Sequence, residues 1–115
     1  MPANRILLIA PQSDLKDSLR FALGAEHYDV TWRASIGAKL MPGDYDCTII
    51  DHHGLGTDLA AAKRFTSAFK PVVLLANRTH ELSPFVFQTI VKPGLGAPLM
   101  DAVRDAVSHS AAATK

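Results

Sequence analysis

The sequence has one cysteine and one tryptophan, and neither sign of charge prevails in it. A single thiol, Cys47, has no intramolecular disulfide partner, and one such thiol favours a reducing compartment, so the expected location is the cytoplasm. Twelve Lys and Arg stand against eleven Asp and Glu, a formal charge of +1. That balance creates no field that would attract nucleic acid or an anionic membrane, and neither is expected as a partner. Long apolar runs are also missing. The opening MPANRILLIAPQSD holds a short one cut by Pro11, too short for a membrane span or a signal segment. His27, His80 and His109 are scattered and, with one cysteine, make no zinc-ligand spacing.

What is present suits one globular domain. The 115 residues are 48% hydrophobic and 20% charged, enough apolar material for a single core without disulfides or metal. The expected domain covers residues 1–109, and the last six, 110–115, read as a flexible tail.

Five short apolar runs alternate with amphipathic stretches. Arg5–Ile9 (RILLI) is continuous and bounded by Pro11, as suits a strand buried on both faces. A helix is predicted after it, capped by Ser13 or Asp14, with Leu15, Leu19, Ala22 and Leu23 on one face and Gly24 as its left-handed terminator. Tyr28–Trp32 predicts a second strand towards the sheet edge, and 35–41 allows a short helix before Pro42-Gly43. Asp46–Ile50 predicts a third strand, followed by a helix over 57–69 capped by Thr57 or Asp58. Pro71–Leu75 predicts a fourth and Thr89–Val91 a fifth. A last helix carries Leu99, Met100, Val103, Ala106 and Val107 on one face. Trp32, Phe65 and Phe69 are expected in the core.

Strands alternating with about five helices predict an α/β fold with a doubly wound parallel sheet, because parallel neighbours require right-handed crossovers. In such folds chemistry gathers at the carboxyl ends of the strands. The residues there are Ala10-Pro11, Asp51-His52, Ala76-Asn77 and Lys92-Pro93.

Those strand ends, taken in order, resemble the receiver domain of two-component response regulators and hybrid kinases. YDCTIID delivers Asp51 where that family has its phospho-accepting aspartate, TIVKP ends in Lys92-Pro93 like the family's fifth strand, and PVVLLAN matches its fourth. The resemblance spans nearly the whole chain. It implies a flavodoxin-like five-stranded sheet in the order 2-1-3-4-5 and a signalling role with a histidine kinase, a phosphotransferase or another signalling domain as protein partner.

The departures fall at the same edge. The family ends its first strand in two adjacent acids that hold a divalent cation, where this chain has Ala10 and Pro11; Asp14 is out of register. Ala76 replaces the usual Ser or Thr, and Thr89 replaces the usual aromatic three positions before the lysine. The stretch from Ala76 to Lys92, broken by Pro84, is short for the family's fourth helix, which is expected shortened or missing.

Phosphoryl transfer to a carboxylate depends on neutralising charge on the phosphoryl oxygens, mostly by a metal. The expectation is therefore a degenerate, non-enzymatic pseudo-receiver, with weak or absent magnesium binding. Asp51 would pair directly with Lys92 across neighbouring strand ends, and Ala10, Pro11, Ala76 and Pro93 would line the pocket. Phe85, Phe87 and Thr89 are the candidate interaction residues. Two alternatives stay open. One is a phosphorylatable receiver using Asp51. The other is a small metal-dependent phosphoesterase, since Asp51-His52-His53 also matches the DHH signature of such enzymes, although RILLIAPQSD offers no paired His and Asp. The glycines of Gly54-Leu55-Gly56 and Gly94-Leu95-Gly96 lack a full dinucleotide or P-loop pattern and read as turn glycines.

Overall fold

The computed structural model describes residues 4–11, 14–34, 45–52, 59–69, 71–76, 88–91 and 97–113. Its strands are β1 (Arg5–Ile9), β2 (Asp29–Arg33), β3 (Cys47–Asp51), β4 (Val72–Ala76) and β5 (Gln88–Val91). Among the described residues three helices accompany them in chain order: α1 (Asp14–Ala25) after β1, α2 (Leu59–Ala68) after β3 and α3 (Ala97–Ala113) after β5. All five strands are parallel and lie in the order β2-β1-β3-β4-β5. The expected α/β class and strand order are both realised. The short helix expected over 35–41, and the shortened fourth helix expected between β4 and β5, lie outside the described residues.

Burial explains why the apolar runs became strands. β3 and β4 are buried along their whole length and β1 everywhere but Arg5, while β2 at the edge is only half-buried. Alternate residues then serve two cores. Ile6, Leu8, Cys47 and Ile49 pack with Leu19 and Leu23 of α1 and Leu99 and Val103 of α3. Leu7, Ile9 and Ile50 pack on the opposite face with Ala62 of α2 and with Phe69. Phe69 stacks on Phe65 at a centroid distance of 4.1 Å, and Trp32 packs against the first core, as expected of all three aromatics.

Local hydrogen bonds trim the elements. Asp46 stays outside β3 because it clamps the start of β1: its N–H donates to the Arg5 carbonyl, and its carboxylate accepts the Arg5 N–H at 2.9 Å. Pro71, with no N–H to offer a ladder, stands before β4 and accepts the Thr48 N–H through its carbonyl.

The end of α1 corrects the sequence expectation. Gly24 lies inside the helix, and the left-handed residue is His27, with φ of 68°. The His27 N–H donates to the Gly24 carbonyl and the Tyr28 N–H to the Leu23 carbonyl, the paired bonds of a Schellman cap. The cap satisfies the last helical carbonyls three residues later than the glycine suggested, which leaves Gly24 with the entropic cost of glycine and no compensating turn. α3 likewise runs to Ala113, into the segment expected as a tail. No helix among the described residues is long and apolar enough to cross a membrane.

Cys47 is buried at the start of β3, and burial followed by the nearby Asp46 charge pushes its thiol up to about 12. On the other face of the same strand Thr48 Oγ1 is buried with no hydrogen-bond partner among the described residues.

Two stability effects follow. A Cβ at Gly24 meets open space, so Gly24→Ala is expected to stabilise the protein by about 0.5–1 kcal/mol in urea unfolding. Thr48→Val replaces the unpaired hydroxyl by a methyl of nearly the same volume, with an expected gain of about 1 kcal/mol in the same assay.

Candidate functional site at the carboxyl edge of the sheet

The parallel register brings the ends of β1, β3 and β4 to one edge. Ile9 pairs with Ile50, so Ala10 follows at the level of Asp51, and Asp51 pairs with Leu75. Asp51 is the last residue of β3 and only 3% exposed. Side-chain alternation sets it on the face of Cys47 and Ile49, towards α1 and α3.

No acid ends β1. Ala10 is fully buried and Pro11 partly so, and Asp14 opens α1. Ala76 ends β4, buried, paired with Val91. Thr89 lies on β5 opposite Leu74, partly buried. β4 lies between β3 and β5, so the ends of those two strands are not adjacent, and the expected Asp51–Lys92 pair lies outside the described residues. Lys92 itself, with Pro93, Phe85, Phe87 and His53, lies outside the described residues.

Two groups that the sequence did not single out for this role complete the edge. His52 turns back over the sheet, its Nδ1 3.2 Å from the Leu75 carbonyl oxygen and 3.4 Å from Asp51 Oδ1. Both neighbours are acceptors, so Nδ1 carries the proton and the ring bridges the ends of β3 and β4. On the other side Trp32 Nε1–H donates to the Ala10 carbonyl oxygen at 2.8 Å, while the Ala10 N–H donates to the Arg33 carbonyl. Above the indole lies Lys16, 5% exposed, its ammonium 4.6 Å from the ring centroid and 2.7 Å from Asp17 Oδ1. A sequence signal for Lys16 did exist: it stands three and seven residues before Leu19 and Leu23, on the buried stripe of α1. His52 gave no such signal beyond its place next to Asp51.

Chemically, the edge offers one buried carboxylate, an imidazole held by two acceptors, and a desolvated ammonium on an aromatic face. No group of three or more His, Cys, Asp or Glu suited to a metal occurs among the described residues.

No protein-family model matches the chain. No curated protein matches it either. Solved structures do. The response regulator TrrA of Thermotoga maritima, determined with magnesium and BeF, aligns with a TM-score of 0.74 at 20% identity, over 90% of this chain and 98% of that one. The receiver domain of a Pseudomonas aeruginosa sensor histidine kinase, with magnesium in its active-site cleft, gives 0.72 at 19%, over 92% and 98%. The BeF3-activated N-terminal receiver domain of Klebsiella pneumoniae RstA gives 0.74 at 16%, over 90% and 98%. This chain therefore has the receiver-domain fold.

The Trp32 bond is the one side-chain contact described that ties the edge strand β2 to the end of β1. Trp32→Phe keeps an aromatic six-membered ring and removes the N–H donor. It is expected to cost about 1–3 kcal/mol in urea unfolding, because the Ala10 carbonyl loses its indole partner.

Proposed function

We propose that this chain is a pseudo-receiver: a non-enzymatic signalling module of a two-component or phosphorelay system that acts by protein–protein interaction rather than by efficient phosphoryl transfer. Its partner would be a histidine kinase, a phosphotransferase or another signalling domain, met in the cytoplasm. The observation that carries this reading is the chemistry of the edge, where buried Asp51 lies beside an alanine at the end of β1 and another at the end of β4.

Two of the similar structures are described with magnesium, which makes the fit of that ion a fair test. Magnesium takes near-octahedral oxygen ligands, usually one or two carboxylates with waters. Asp51 supplies one carboxylate, Ala10 and Pro11 supply none, and the proton-bearing nitrogen of His52 is turned to acceptors. Among the described residues this donor set does not fit the ion. Ala76 also lacks a hydroxyl for a phosphoryl oxygen. Loss of one such contact costs about 2.7–4 kcal/mol of barrier in enzymes where it has been removed. In this reading Asp51 is a structural charge, with Lys92 as its pairing candidate.

A second reading keeps Asp51 as a phosphoacceptor, favoured by its retention at the carboxyl end of β3. The two part on one measurement. After incubation with acetyl phosphate and magnesium, the intact mass of the full chain is expected to show no stoichiometric phosphoryl adduct. An adduct at full occupancy that disappears in Asp51→Asn would replace the pseudo-receiver by the phosphorylatable one.

A further inference from the structure

We propose that the outward face of α1 is a self-association surface, on which Phe21 of one copy of this chain seats against Gly24 of a second copy. Phe21 is 81% exposed, the one large hydrophobic side chain so exposed among the described residues. An α-helix turns about 100° per residue, and Lys16, Leu19 and Leu23 form the buried stripe of α1, so Phe21 stands opposite the core rather than at its margin. A ring of the size that dominates cores and interfaces is thus left in water. Asp17, Ser18, Gly24 and Ala25 surround it on the same face, all exposed.

Gly24 supplies the complement. A glycine inside a helix costs stability relative to alanine, and this one closes no turn, since the left-handed residue of the cap is His27. A Cβ placed on it would meet nothing within 4 Å, so no neighbour in its own chain requires the missing side chain. The notch opens outward, one helical turn from Phe21. Two copies related by a two-fold axis between residues 21 and 24 run α1 antiparallel, and residues equally far from the axis face each other. Phe21 of each copy then meets Gly24 of the other, so the projection fills the notch twice. A different partner would need only one of the two features; a second copy needs both on one face. An isologous contact must also match its own charge, and Asp17 and Arg20 give this face one acid and one base, with no net repulsion between copies. One helix face lies at the low end of specific interfaces, below ~1,200 Å², which suits a weak and reversible dimer.

The assignment does not depend on the state of Asp51, and its test uses neither metal nor phosphodonor. Sedimentation equilibrium of the full chain, from micromolar to millimolar concentration, is expected to show a monomer–dimer equilibrium. Phe21→Ala is expected to raise the dissociation constant about tenfold or more. Gly24→Gln fills the notch with a good helix former, so it is expected to weaken the dimer about tenfold while urea unfolding of the dilute chain shows no loss of stability. The exchange Phe21→Gly with Gly24→Phe transposes projection and notch across the same axis, and is expected to restore association to within about threefold of wild type. In the wild type, amide chemical shifts that move with concentration are expected on the outward face of α1, centred on Phe21 and Gly24, a readout that needs no variant to fold. A chain that stays monomeric throughout would overturn the assignment. So would a dimer that Phe21→Ala or Gly24→Gln leaves unchanged, an exchange variant no tighter than Phe21→Ala, or concentration-dependent shifts that avoid α1.

Discussion

The structure depends on one constraint: β1, β3 and β4 are parallel and covered on both faces. Parallel neighbours cannot be joined by hairpins, so each connection must travel the length of the sheet and return. Those returns carry the helices that cover the faces, with α1 and α3 against one core and α2 against the other. The same constraint gathers every strand's carboxyl end at one edge, where side chains from distant parts of the sequence meet. Asp51 is buried because it ends the strand in the middle of this arrangement.

The edge sets one buried carboxylate among small apolar strand ends. Small apolar residues at Ala10 and Ala76 pack the strand ends without offering ligands. The polar demand left by Asp51 falls instead on neighbours that are part of the scaffold, such as the imidazole of His52 laid across β3 and β4. A group held in this way links the ends of two strands as well as shaping the local charge.

Much of the fold was legible in the residues. Continuous apolar runs placed β1, β3 and β4 to within a residue, because burial on two faces leaves little choice of residue type, and the β-branched and aromatic texture of YDVTW and the short TIV run did the same for β2 and β5. Their order followed from the resemblance to receivers. Asp51 was legible for a similar reason, as the polar residue that ends such a run. The helix boundary at Gly24 was misjudged because a non-glycine, His27, took the left-handed position. The Schellman bonds and the close start of β2 determine where the chain turns, and glycine's preference alone does not. Lys16 escaped notice for a different reason. A lysine on an apolar stripe usually bends its ammonium out to water, and only the position of Trp32 on a neighbouring strand shows why this one stays in. Such pairings cross sequence gaps that periodicity does not read.

The burial of Cys47 has a practical meaning for the molecule's life in a cell. A thiol sealed at the foot of the central strand, with its ionisation pushed far above neutral pH, presents no thiolate to oxidants or electrophiles while the sheet is closed. Its modification would record only those moments when β3 parts from its neighbours, so that oxidative damage to this chain would accumulate with excursions of the fold rather than with exposure to the oxidant.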